Sequence, residues 1–164
     1  MFRSGPFVAA HTTPVDPSQV QPNGVDLTLD AVFDQVTPGR VARDGRRIGE
    51  RRERRPDGAG SDRAGPDRYA LDPGGYVVRY GERVRVPEEH VGFLYPRSTL
   101  LRNGSMLNTA VWDAGYEGRG EGLLQVHHRI EIEPGARVAQ FVLATAANEG
   151  TYDGRYQGEN VPGE

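Results

Sequence analysis

Apolar and polar residues alternate with a period of two along much of the chain. From Gly24, the positions Val25, Leu27, Leu29, Ala31 and Phe33 are apolar, with Asp26, Thr28 and Asp30 between them. Successive side chains of a strand point to opposite faces, so this spacing predicts a half-buried strand over 24–36. Similar patterns predict strands at Tyr76–Tyr80 (after the turn Asp72-Pro73-Gly74-Gly75), Arg83–Val86 and Val91–Tyr95, and near 109–113, 122–132 and 137–146. Pro134-Gly135 supplies the turn between the last two. Residues 98–106 break the alternation and predict one short helix, with Ser98 as its N-cap and Gly104 as its C-terminal stop. Residues 8–22 are polar and proline-bearing and predict an extended arm.

Two segments stand apart. Residues 41–68 hold nine arginines, six acidic residues and few large apolar ones. Such a stretch has too little apolar surface to build a core, and it predicts a charged, mobile surface loop. Contact with a nucleic acid or a phosphate is the minor reading, because the interspersed acids weaken any continuous phosphate track. Residues 150–164 contain four glycines and two tyrosines, too polar for a core, with aromatics that suit docking as a flexible C-terminal lid.

Composition narrows the function classes. The 164 residues fit a single domain, 1–164, and the 22 glycines and 12 prolines fit many short strands joined by tight turns. A net charge of −3 gives no general reason to expect a nucleic-acid backbone or a membrane surface as partner. The absence of cysteine removes disulfides, thiol catalysis and cysteine-ligated zinc, and fits a cytoplasmic location. No apolar run approaches the roughly 18 residues of a membrane span, and no secretory leader is read at the N-terminus. All 20 basic residues are arginine, which carries no mechanistic weight.

Five clusters could carry chemistry. In Pro96-Arg97-Ser98-Thr99-Leu100-Leu101-Arg102, a helix start with two hydroxyls and two guanidinium groups could hold phosphate, or could be an ordinary helix start with surface arginines. In Val111-Trp112-Asp113-Ala114-Gly115-Tyr116-Glu117-Gly118, Asp113 is either a turn residue or a general base for water, with Tyr116 packing nearby. In Asn23-Gly24-Val25-Asp26-Leu27, Gly24 permits close backbone approach, and Asp26 is structural or helps to hold a hydrated metal. Gln140, within Gly135–Phe141, is read as satisfying buried backbone groups. Tyr152-Asp153-Gly154-Arg155-Tyr156-Gln157-Gly158 has the aromatic, cationic and amide groups of a nucleotide lid. The pair His127-His128 is a weak metal hint, since neighbours on a strand face opposite ways; one is expected inside and one outside.

Taken in order, the blocks Gly24–Leu27, Arg97–Leu100, Asp113–Gly118, Pro134–Gln140 and Tyr152–Gly158 make the chain resemble the family that joins dCTP deaminases with archaeal-type dUTPases. They span 24–158, leaving 41–68 unmatched. The resemblance implies an all-β distorted jelly-roll barrel, assembled as a homotrimer with shared active sites. It implies a dUTP diphosphatase in which Asp113 orients a water for attack on the α-phosphorus, giving dUMP and pyrophosphate. Mg2+ would be held mainly by the triphosphate and water. Arg97, Ser98, Thr99 and Arg102 would hold phosphates; Tyr116 and Gln125 would add substrate contacts; Tyr152, Arg155 and Gln157 would close over the nucleotide.

The deaminase branch of the family uses a glutamate on the strand after the aspartate block. The comparable run here is Leu123-Leu124-Gln125-Val126, where Gln125 is neutral and cannot act as a base, which favours dUTP hydrolysis. Arg119–Gly122 reads as a two-residue insertion, and a different register would bring Glu121 to that place. Glu159 stands where many relatives carry a second glutamine. The alternatives are a dCTP deaminase, or an enzyme with both activities, and a non-catalytic nucleotide-binding module.

Overall fold

The computed structural model describes residues 1–58 and 66–161. The chain opens with a five-residue helix, α1 (Gly5–Ala9), then β1 (Thr12–Thr13), a 3-10 turn at Pro17–Gln19 and β2 (Val20–Gln21). The long β3 (Gly24–Gln35) is followed by β4 (Arg40–Ala42), β5 (Gly45–Arg47) and β6 (Arg51–Glu53). Next come β7 (Tyr69–Leu71), β8 (Gly74–Tyr80), β9 (Arg83–Arg85), β10 (His90–Pro96) and the second helix, α2 (Ser98–Arg102). The remaining strands are β11 (Ser105–Asn108), β12 (Glu117–Gly118), β13 (Glu121–Val126), β14 (Ile130–Ile132) and β15 (Arg137–Thr145).

The main sheet runs β10-β15-β3-β8-β13-β11, antiparallel at every step, with β2 and β6 also paired to β3. Its two edges meet. After β11 the chain returns to β10, where Trp112 and Gly92 exchange both backbone hydrogen bonds (2.8 and 3.0 Å) and the Thr109 hydroxyl donates to the Leu94 carbonyl at 3.1 Å. The ladder is therefore a nearly closed barrel, which leaves few open strand edges to template unwanted pairing. A mostly β fold of this kind agrees with the all-β expectation. The barrel's interior is filled by Leu27, Leu29, Val78, Tyr80, Leu124 and Phe141, all fully buried. Each such aliphatic or Phe side chain contributes roughly 1.5–3 kcal/mol by leaving water.

The period of two in β3 holds through Leu29 and then changes phase. Leu29 pairs with Tyr80 and Ala31 with Arg79, so Asp30 is an extra residue, a bulge. Beyond it Ala31 and Val32 are both buried, and Phe33 is only partly so. Phe33 becomes an outward shelf for the guanidinium groups of Arg51 and Arg79, each 5.3 Å from its ring centre. Asp30 itself holds Arg79 (2.7 Å) and Arg119 (2.9 Å).

Several sequence expectations are corrected. The arm at 8–22 is not simply extended: it follows and overlaps α1 and contains the 3-10 turn, capped by Asp16 and Gln19 in a reciprocal box. Residues 41–58 are not a structureless loop. β4 and β5 form a hairpin, β6 pairs with β3, and Asp57 bridges Arg68; residues 59–65 lie outside the described residues. The backbone groups of β4, β5 and β6 find partners although these strands build no core. The strand expected near 109–113 is reduced to the Trp112 bridge. The expected strand at 122–132 is two strands, β13 and β14, separated by His127 and His128, which are both exposed because they fall outside the ladder. The N-cap of α2 is Arg97, without a side-chain cap, not Ser98. Gln140 is half-buried, opposite Asp26 in the ladder, and its amide makes no hydrogen bond among the described residues, so it does not serve buried backbone groups.

Candidate active site

The site is built around a tight turn. Asp113, Ala114, Gly115 and Tyr116 close it, the Tyr116 N–H donating to the Asp113 carbonyl at 3.1 Å. Gly115, at its third position, has φ +88°, a conformation that a side chain strongly disfavours. The turn is clamped on both sides. Gly115 N–H donates to the Val86 carbonyl (2.8 Å) and Val86 N–H to the Tyr116 carbonyl (2.9 Å), while Tyr152 N–H from the tail donates to the Ala114 carbonyl (2.6 Å). Trp112 anchors the approach from the core, packed on Tyr116 at 5.0 Å and Phe141 at 5.6 Å between ring centres. The Asp113 side chain is left exposed.

The tail docks along this turn instead of standing free. Gly118 and Glu159 form a parallel bridge; Gly158 N–H donates to the Glu117 carbonyl (2.8 Å) and Arg119 N–H to the Glu159 carbonyl (2.9 Å). The Gln157 amide donates to the Gly115 carbonyl at 3.0 Å and accepts from the Glu117 N–H at 3.2 Å. Tyr152 meets the edge of Tyr116 at 5.8 Å. The last three residues, 162–164, lie outside the described residues.

Between the turn and the tail lies a cavity of about 590 Å³, lined by Trp112, Asp113, Tyr116, Glu121, Arg155 and Glu159, among others. Tyr116 hydroxyl donates to Glu159 Oε1 at 2.7 Å. Burial is the main force pushing the Glu159 carboxyl above its usual range; the nearby Glu121 adds to it, while the Tyr116 hydrogen bond and Arg51 oppose it. Burial first, then the hydrogen bond and charge of Glu159, push the Tyr116 hydroxyl far up, so it stays a neutral donor at any ordinary pH. Arg51 pairs with Glu121 at 2.5 Å, tying β6 to β13 at the cavity wall.

Of the residues singled out from the sequence, Asp113, Tyr116, Tyr152 and Arg155 come together on this one cavity. Gln157 lies beside it but spends its amide on the turn's backbone. Gln125 does not line it; it is exposed and accepts from the Asn108 amide at 2.9 Å. Glu121 is the member of β13 that reaches the cavity, so the register with Glu121 at the site fits the geometry better than the one with Gln125. Arg97 is the N-cap of α2, Ser98, Thr99 and Arg102 are on that helix, and none of the four lines the cavity. That helix has only five residues, so its dipole adds little, and the two hydroxyls are exposed, with Arg102 reaching Ser98 at 3.3 Å. Arg97 is bound to the fully buried Asp26, which also receives the Gln21 amide at 3.0 Å and faces Arg137 at 3.7 Å. Asp26 is thus a structural counter-ion in this chain. The sequence reading missed Trp112, Arg51 and the site-facing role of Glu159. The tryptophan next to the aspartate was the available signal, while Arg51 was hidden within a run of arginines.

Residues 6–146 match the dCTP deaminase-like family. A probable deoxyuridine 5'-triphosphate nucleotidohydrolase of Halobacterium salinarum is 54% identical over 168 residues, covering 100% of both chains. Another, of Aeropyrum pernix, is 40% identical over 148 residues, 87% of each. Among solved structures, the 2'-deoxycytidine 5'-triphosphate deaminase from Agrobacterium tumefaciens superposes with a TM-score of 0.62 at 18% identity, over 88% of this chain and 48% of that one, a likeness of fold.

Proposed function

The chain belongs to the dCTP deaminase-like family, and from that membership and the geometry of the cavity we propose that it is a dUTP diphosphatase, cleaving dUTP to dUMP and pyrophosphate. The Halobacterium salinarum relative, named as a probable deoxyuridine 5'-triphosphate nucleotidohydrolase, aligns with it from end to end, which favours the hydrolytic branch. The observation that carries the mechanism is the exposed carboxylate of Asp113, held by a doubly clamped turn at the mouth of a cavity that the tail covers. In this reading Asp113 accepts a proton from a water as that water attacks the α-phosphorus. Arg155 and the aromatic edge of Tyr152 hold the nucleotide from the tail side and keep bulk water out. Tyr116 positions the tail through Glu159.

Among the described residues no three His, Asp or Glu side chains converge to hold a bare ion. Asp113, Glu121 and Glu159 around one cavity nonetheless suit a hydrated Mg2+ that arrives on triphosphate oxygens, an ion that needs only one or two carboxylates. Bound there, Mg2+ would neutralise charge on the triphosphate.

Arg97, Ser98, Thr99 and Arg102 lie away from this cavity in one chain. Their proposed role as phosphate ligands therefore goes with a homotrimer in which α2 of one subunit completes the site of another. Mixing Asp113→Asn subunits with Ser98→Ala/Arg102→Ala subunits should restore turnover that neither variant has alone; failure to restore any would argue against sharing.

Glu121 at the cavity wall favours one second reading, deamination of dCTP, alone or beside hydrolysis. Its ion pair with Arg51 already engages that carboxylate, which weighs against it. Incubation with dUTP and with dCTP under magnesium tests both readings. Pyrophosphate from dUTP without ammonia from dCTP is expected, and ammonia from dCTP would overturn the assignment to hydrolysis alone.

A further inference from the structure

Next to the Asp113 cavity lies a wider groove of about 780 Å³, and the two share Ile48, Arg51, Ala110, Glu121 and Tyr156. The groove has an apolar floor that includes Val77 and Leu123 from β8 and β13. Its outer wall is the β4–β5 hairpin, which presents Arg40, Arg46 and Arg47. The hairpin's base is fixed. Val36 N–H donates to the Glu50 carbonyl (2.8 Å), Glu50 N–H donates to the Thr37 hydroxyl (2.7 Å), and buried Gly49 packs so closely that a Cβ there would sit 2.0 Å from the Thr37 carbonyl oxygen.

Among the described residues the wall's charge is uncompensated. Elsewhere arginines meet carboxylates: Arg51 with Glu121, Arg54 with Asp34, Arg79 and Arg119 with Asp30, and Arg97 with Asp26. Among the described residues no carboxylate is within ion-pair reach of Arg40, Arg46 or Arg47, and the only bond recorded for these guanidinium groups is Arg47 to the Pro38 carbonyl at 3.3 Å. Arg40 and Arg47, paired across the hairpin, project from one of its faces and Arg46, paired with Val41, from the other; all three are exposed and line a groove that opens into the candidate catalytic cavity, a site for a multiply charged oxyanion.

We propose that Arg40, Arg46 and Arg47 form a second polyphosphate-binding wall of the nucleotide site, taking the diphosphate portion of a nucleoside triphosphate or the pyrophosphate released from it. This rests on the dUTP-hydrolysis reading for its substrate, but not for its chemistry. Arg43, at the hairpin's tip, does not line the groove and serves as an internal control.

The test compares Arg40→Ala/Arg46→Ala/Arg47→Ala with a variant that loses the same charge elsewhere, Arg43→Ala/Arg55→Ala/Arg68→Ala, at one fixed low ionic strength. The groove variant should raise KM for dUTP about tenfold with kcat little changed, and should weaken calorimetric binding of inorganic tripolyphosphate by a similar factor, while the control stays within about twofold. If tripolyphosphate binding and pyrophosphate inhibition weaken but KM does not, the wall serves the released pyrophosphate. Equal effects from the two variants, or none from either, would overturn the proposal. If the unaltered protein fails to hydrolyse dUTP, the functional assignment falls, and tripolyphosphate binding still decides the hairpin.

Discussion

The Tyr116 hydroxyl donates a 2.7 Å hydrogen bond to Glu159 Oε1, joining the turn that carries Asp113 to the tail that covers it. Tyr116 is buried and Glu159 half-buried, and both have their protonated forms favoured, chiefly by burial. The contact can therefore hold Glu159 in either protonation state, but not equally well.

Its pH dependence follows from the sign of the Glu159 shift. A carboxyl whose folded value is raised binds its proton more tightly when docked, so its contribution is fully present below the ordinary carboxylate value and lost as pH rises through the raised one. Hydrogen exchange at the Tyr152 and Gly158 amides, corrected for intrinsic rates, should show protection declining across that interval and level above it. Glu159→Gln should flatten the profile. Protection that climbs with pH over the same interval would contradict the docked arrangement.

Asp113→Asn should leave the turn intact, because the fold uses the backbone of residue 113 and its side chain is exposed. If the carboxylate is the base, kcat for dUTP should fall by about 10²–10⁴-fold, with dUTP affinity nearly kept. Steady-state rates together with equilibrium binding measure this, and an unchanged kcat removes Asp113 from the mechanism.

Gly115→Ala places a Cβ 2.7 Å from the Thr151 Cβ, on a backbone at φ +88°. The backbone strain alone costs roughly 1–2 kcal/mol. The tail should loosen, seen as faster limited proteolysis after residue 150 and a lower kcat/KM, while the barrel's melting temperature moves little. A tail as resistant as in the parent would show that the clamp is not set by this glycine.

Leu27, fully buried at the centre of β3, tests the core. Leu27→Ala should lower the unfolding free energy by about 2–5 kcal/mol in denaturant titration. A loss well under 1 kcal/mol would mean that the barrel collapses into the space.

Much of the barrel was legible because period-two spacing reports burial directly; Val25, Leu27 and Leu29 show it. The Asp113 turn was legible because a glycine-flanked aromatic after an acid is an unusual demand on the backbone. The β4–β5 hairpin escaped notice because its strands bury nothing. Its pairing is made by backbone groups and a packed Gly49, and neither writes a hydrophobic pattern. The distance of α2 from the Asp113 cavity was equally hidden, since sequence order gives no information on how separate blocks share space. The reach of Glu121 over Gln125 depended on where β13 joins its neighbours, a matter of ladder register that composition does not encode.

The bulge at Asp30 has a consequence for how this chain tolerates change. Removing that one residue would leave Leu29 opposite Tyr80 and Ala31 opposite Arg79 in an unbroken ladder, with Val32 still inside and Phe33 and its attached arginines still outside. Many substitutions at position 30 could be absorbed at the cost of two ion pairs. A deletion there would cost the same two pairs, whereas loss of the paired Val32 would bring Phe33 opposite Val78 and turn it inward, so along β3 a missing residue is tolerated only where the neighbouring strand has no partner for it.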